Sequence, residues 1–143
     1  MTDRQPVMTP EELDAFLHRE FPQTANDWRI ESVGPMTARV WMTVEHRHLR
    51  PGGTVSGPSL FALADCAFYI VVLAMIGPVA LTVTTNCSID FMRKPPPEDL
   101  VADARLLKLG RTLAVGDVVI HAPSVSGGPV ARASLTYAIP PKG

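Results

Sequence analysis

Between Arg50 and Asp90 the chain carries a single charged residue, Asp65. It sits inside the apolar run Ser56 to Ile76, SGPSLFALADCAFYIVVLAMI. An ionised carboxylate in such surroundings is costly unless it is paired, hydrogen-bonded or wet. A carboxylate held that way is a candidate general base or nucleophile, with a loop cap or an ion pair across a subunit interface as the plainer reading. Gly57 stands at the start of the same run, where a helix would leave its first backbone N–H groups without partners. Such an end can stabilise an oxyanion, although an ordinary turn glycine would look the same. Asp65 and Gly57 are eight residues apart, which at a rise of about 1.5 Å per residue is about 12 Å along a helix. One helix cannot offer both groups to one carbonyl, so if both act, the site is expected to be shared between two antiparallel helices of two subunits.

Other reactive residue types give weaker patterns. His46 and His48 have the spacing of a metal-binding pair, but no further ligand lies nearby, so no metal is expected. His18 and His121 read as surface or packing residues. Cys66 and Cys87 lie in apolar stretches and read as reduced, buried thiols rather than a disulfide or a nucleophile. The basic residues Arg93, Lys94, Lys108 and Arg111 flank breaks between strands, where solvated loop charge is the default reading.

These groups need elements to hold them. Thr9, Pro10 and Glu12 open a helix with a capping box, and Leu13, Phe16 and Leu17 give it an apolar stripe that ends before Pro22. Trp28 to Val33 and Thr37 to Glu45 read as strands around Gly34-Pro35. After the loop His46 to Val55, Ser56 to Ile76 is apolar nearly all round. A helix of that kind is expected to be enclosed by the fold, and Gly77-Pro78 stops it. Ala80 to Met92 alternates, with Leu81, Val83, Thr85, Cys87, Ile89 and Phe91 assigned to one face. Leu100 to Leu109 and Leu113 to His121 form a hairpin, and Val130 to Ala138 is the last strand. One long helix and six strands predict an α+β fold in which a curved antiparallel sheet wraps around the helix. Its edges predict a dimer with a continuous sheet.

The bulk properties agree. The chain has 143 residues, with 46% apolar and 19% charged residues and a formal net charge of -1. That composition reads as one globular domain, residues 1–143. It offers no overall positive field, so nucleic acid is not an expected partner. The start of the chain shows no signal-peptide pattern, and Cys66 to Ile76 is too short an uncharged stretch to span a bilayer. The protein is therefore expected to be soluble and cytoplasmic, with no membrane partner.

The stretch Gly53 to Asp65, GTVSGPSLFALAD, together with Gly110-Arg111-Thr112-Leu113-Ala114, resembles the hotdog acyl-CoA thioesterases of the phenylacetate-pathway (PaaI-like) type. The resemblance runs from about Val40 to Ala138. It implies a hotdog fold, hydrolysis of an acyl-CoA thioester, and a homodimer or a tetramer built as a dimer of dimers. Coenzyme A would enter as part of the substrate, with no separate cofactor. In that family the helical Asp activates water or attacks the carbonyl, and a backbone N–H at the helix start binds the oxyanion. Those roles fall on Asp65 and Gly57. Arg50 stands where the family has Asn, Ser56 where it has His, and Pro58 where it has a second Gly. The family's Ser or Thr on the strand after the helix corresponds to Thr84, which simple alternation turns away from the helix, so that a bulge or an interface would be needed to bring it to the site. The family's loops also bind coenzyme A phosphates, a role that Arg93, Lys94, Lys108 and Arg111 would take here.

Two other readings stay open. A hydroxyacyl-thioester dehydratase or hydratase would pair a loop histidine, here His48, with Asp65. A non-catalytic acyl-CoA-binding protein would explain the residues at 50 and 56, but not a retained lone carboxylate. The acyl pocket is expected to involve Phe61, Phe68 and Tyr69.

Overall fold

The computed structural model describes residues 4–141. Helix α1, Pro10–Glu20, begins with the predicted capping box. Glu12 N–H donates to Thr9 Oγ1 at 3.1 Å and Thr9 N–H to Glu12 Oε1 at 2.9 Å, and Leu13, Phe16 and Leu17 are buried. A short 3-10 turn, Ala25–Asp27, leads into β1, Trp28–Gly34, and β2, Thr37–Met42. After a second 3-10 turn, His46–His48, comes α2, Gly57–Ile76, then β3, Val83–Phe91, β4, Leu100–Leu109, β5, Leu113–His121, and β6, Ala131–Ala138. The strands form one antiparallel sheet in the order β1-β2-β4-β5-β6-β3. This is the wrapped-helix hotdog architecture.

Helix α2 is capped by Ser56, whose Oγ accepts the Ser59 N–H at 3.3 Å, and it stops at Gly77, whose φ of 101° suits a residue without a side chain. Leu63, Ala64, Ala67, Phe68 and every residue from Ile70 to Ala74 are fully buried. The close fit needs Gly116 on β5, since a Cβ there would lie 2.0 Å from the Arg105 carbonyl oxygen and 2.7 Å from the Phe68 ring. By length and composition this 20-residue helix could cross a bilayer, unlike its shorter uncharged part, but in the fold it is the mostly buried core helix.

Enclosure of α2 is incomplete. Near its start Pro58, Phe61 and Ala62 are exposed and Asp65 and Cys66 half-buried, so a stripe of the helix is left uncovered. The stripe lies on the helix whose neighbour β3 is the sheet edge, paired only with β6.

Strand β3 also departs from simple alternation. Thr84 pairs with Tyr137 and Asn86 with Thr136, so Thr85 is an extra residue, a bulge. The bulge reverses the inward face. Thr82 and Thr84 turn in before it and Cys87 and Ile89 after it, while Leu81 and Val83, expected to share the face of Cys87, are 80% and 55% exposed.

Candidate active site

Asp65 projects from the uncovered stripe of α2 and receives two hydrogen bonds on one oxygen. Thr84 Oγ1 donates to Oδ1 at 2.6 Å, and Tyr137 OH lies 2.6 Å from the same atom and 2.9 Å from the Asp65 backbone carbonyl. The bulge at Thr85 is what turns Thr84 inward. Oδ2 has no hydrogen bond among the described residues, and Asp65 lines a cavity of about 480 Å³ together with Leu17, Phe21, Trp28, Cys66 and Tyr69. Two short hydrogen bonds to a carboxylate are of the strong, charge-assisted kind. They fix the carboxyl plane and leave its second oxygen for chemistry. Burial and then the charge of Asp65 raise the Tyr137 hydroxyl far above its ordinary range, so it stays a donor. Burial does the same to the Cys66 thiol, with the Asp65 charge adding to it, which removes Cys66 as a thiolate nucleophile.

Gly57 lies in a different cavity, of about 380 Å³, with Arg50, Thr54, Phe91, Arg93 and Lys94 among its lining. It is the first residue of α2, so its N–H has no intrahelical acceptor, and Pro58 beside it has no N–H at all. The Phe91 ring lies 3.5 Å from where a Gly57 Cβ would be. This cavity has cationic lining residues and no acidic one. Ser56 is occupied as the cap, since its hydroxyl also donates to Ser59 Oγ at 2.9 Å. The candidate residues thus form two groups along α2: Asp65, Thr84 and Tyr137 at one cavity, Gly57, Arg50 and Ser56 at or beside the other.

The basic residues divide the same way. Arg93 and Lys94 follow the Phe91 end of β3. Lys108 and Arg111 flank the β4–β5 turn, at the end where Leu113 pairs with Ala138 and Ala138 with Val83. Lys94, Lys108 and Arg111 are exposed. Arg93 commits two donors to the loop before β6, reaching the carbonyl oxygens of Pro129 at 2.8 Å and Gly127 at 2.9 Å.

His48 is buried and turned elsewhere. Its Nδ1 accepts the Glu45 N–H at 2.9 Å and its Nε2 is 3.7 Å from buried Asp27, which also pairs with Arg47. It lines neither cavity. Of the aromatic residues expected at the acyl pocket, Tyr69 lines it, whereas Phe68 is fully buried in the core and Phe61 is 40% exposed on the open stripe.

Two residues of the site were not anticipated. Tyr137 is the last inward residue of β6, after Ala131, Ala133 and Leu135, and inward alternation was the available signal. Thr82 lines the Asp65 cavity, and its Oγ1 is the buried side-chain polar atom without a hydrogen-bond partner among the described residues. Leaving such a group unsatisfied costs about 1–3 kcal/mol.

Tyr137→Phe tests the positioning of Asp65. The ring, 5.2 Å from Phe68 between centroids, keeps its packing while the hydroxyl is lost. A hydrogen bond to a charged group contributes about 1.5–3 kcal/mol, so kcat is expected to fall about ten- to a hundredfold with KM little changed. Steady-state kinetics on the folded variant read this directly, and an unaltered kcat would remove Tyr137 from the site.

The profile of the thioesterase superfamily matches residues 52–126. Among solved structures, a candidate thioesterase from a Silicibacter species is 50% identical, with 96% of each chain covered and a TM-score of 0.88. A mutant of the phenylacetic acid degradation protein PaaI from Thermus thermophilus is 26% identical over 82% of this chain and 97% of its own, with a TM-score of 0.67. Zebra fish thioesterase superfamily member 2 is 23% identical over 93% of this chain and 99% of its own, with a TM-score of 0.79, a likeness of fold. No curated protein matches the chain significantly.

Proposed function

The chain belongs to the thioesterase superfamily, and from that premise we propose that it hydrolyses an acyl-CoA thioester, of the phenylacetate-pathway type, at two sites shared across a cytoplasmic homodimer. The observation that carries this reading is Asp65, which lines a cavity with its Oδ1 held by Thr84 and Tyr137 and its Oδ2 without a hydrogen bond among the described residues.

What the single chain leaves uncovered supports the dimer. β3 is a sheet edge, Leu81, Val83 and Phe91 on or beside it are exposed, and the open stripe of α2 lies alongside. A twofold axis at this edge would pair β3 with its copy in antiparallel fashion and extend the sheet. The Phe91 end of one strand, with Gly57 and Arg50, would then meet the Val83 end of the other, with Asp65. The same symmetry brings Lys94 and Arg93 of one protomer to the end that holds Lys108 and Arg111 of the other. A tetramer, as a dimer of dimers, adds nothing that the reaction requires.

In this arrangement the thioester carbonyl oxygen lies against Gly57 N–H of one subunit, with the Arg50 guanidinium adding positive charge nearby. Asp65 Oδ2 of the other subunit takes a proton from water as the water oxygen bonds to the carbonyl carbon. The tetrahedral oxyanion collapses, the C–S bond breaks, and the proton held by Asp65 returns to the leaving thiolate. Attack by Oδ2 itself, through a mixed anhydride, would use the same geometry. A hydratase reading lacks its histidine, since His48 is directed at Asp27.

A panel of acyl-CoAs assayed with a thiol reagent tests the reaction. Thiol release is expected, with a higher KM and similar kcat for the matching pantetheine thioesters, which lack the phosphates that Lys94, Lys108 and Arg111 would contact. Loss of enoyl absorbance without thiol would instead identify a hydratase, and no turnover a binding protein.

A further inference from the structure

Resting on that reading, we propose that the Tyr69 ring closes the inner end of the acyl cavity and excludes acyl groups deeper than a straight chain of about six carbons. The α2 residues that line the cavity, Ala62, Asp65, Cys66 and Tyr69, follow the i, i+3, i+4, i+7 spacing of one helix face. Exposure falls along that face, from exposed Ala62 through half-buried Asp65 and Cys66 to Tyr69, which keeps 8% of its surface accessible. On the next turn Val72 and Leu73 are fully buried and line no part of the cavity. The cavity therefore opens at Ala62 and ends at Tyr69.

The ring is braced in that position. Its hydroxyl donates to the Ala80 carbonyl oxygen at 3.0 Å, and Ala80 lines the cavity too, so the phenol spans from α2 to the segment that leads into β3. The ring meets Phe21 edge-on at 5.6 Å between centroids, Tyr137 at 6.2 Å and Phe16 at 6.5 Å. Phe16 is buried and does not line the cavity, so Tyr69 stands between the cavity and the core. Asp65 marks the carbonyl end of the substrate, and Tyr69 is four residues further along α2, about 6 Å at about 1.5 Å per residue. An extended chain advances about 1.2 Å per bond, so about five carbons follow the carbonyl before the ring is met. A longer chain must displace a braced aromatic side chain or fold back towards solvent. Either forfeits the gain of about fourfold that each further buried methylene would bring.

The test is a series of straight-chain acyl-CoAs from butanoyl to dodecanoyl. For wild-type protein kcat/KM should rise to hexanoyl-CoA and fall by about tenfold or more by decanoyl-CoA. Tyr69→Ala and the milder Tyr69→Leu remove the ring, and in either the optimum should move to chains longer by about two carbons or more, whatever the absolute rate. Calorimetric binding of the matching S-alkyl-CoA thioethers reads the same limit without hydrolysis, in wild-type protein and variants alike. Thioether binding that shows the limit and its shift, without turnover of any acyl-CoA, would leave Tyr69 its role and remove only the thioesterase reading. Failure to bind thioethers of any length would overturn both. A wild-type protein whose turnover or binding keeps rising to the longest chain overturns the limit, as does an optimum that stays in place in a folded Tyr69→Ala or Tyr69→Leu protein.

Discussion

Asp65→Asn is expected to lower kcat/KM for acyl-CoA hydrolysis by about a hundredfold or more, the usual cost of losing a positioned general base, while the protein stays folded. The amide has nearly the volume of the carboxyl, and its carbonyl oxygen can still accept from Thr84 Oγ1 and Tyr137 OH. It cannot take a proton from water or attack a carbonyl as an anion. Replacing a half-buried charge by a neutral amide should not weaken the core, because the groups that pack α2, from Leu63 to Ala74, are untouched. Circular dichroism and thermal unfolding should therefore resemble wild type while thiol release collapses. Activity within a few-fold of wild type in a folded Asp65→Asn protein would remove Asp65 from the chemistry.

Local chemistry made much of the fold legible. The Thr9 capping box, the Gly77 stop and the apolar run of α2, broken only by Asp65, each act over a few residues, so their boundaries could be read closely. The lone charge of Asp65 and the helix start at Gly57 were legible for the same reason, and their separation means that one carbonyl can meet both only if two subunits share the site. What could not be read depends on pairing between distant strands. The bulge at Thr85 exists only in the register of β3 against β6, and it alone decides that Thr82 and Thr84 turn inward while Val83 turns out. Tyr137 reaches Asp65 from 72 residues away, through the placement of β6 beside β3. The open stripe of α2 is not legible in the sequence because a helix apolar nearly all round does not reveal which face its own sheet leaves bare. Phe61 and Phe68 were both read as pocket residues, yet the helix puts one on that open stripe and the other on Gly116.

The proposed sharing of the site carries the largest consequence. Gly57→Pro deletes the proposed oxyanion donor, and loss of one such donor costs about a hundred- to a thousandfold in kcat. The substitution falls at the first helical position, where proline is tolerated. Gly57→Ala, which keeps the N–H and places its Cβ at an ordinary 3.5 Å from the Phe91 ring, serves as the control and should stay active. Homodimers of Gly57→Pro or of Asp65→Asn then have two defective sites each. A dimer formed from one subunit of each kind has one site with both defects and one with neither. Half of randomly assembled dimers are mixed, so unfolding and refolding the two inactive proteins together in equal amounts should restore about a quarter of the wild-type sites. Measured thiol release near that level, with the KM of wild-type protein, is the result the shared site predicts. A mixture that stays inactive although both proteins fold and exchange subunits would show that Gly57 and Asp65 do not meet across the interface.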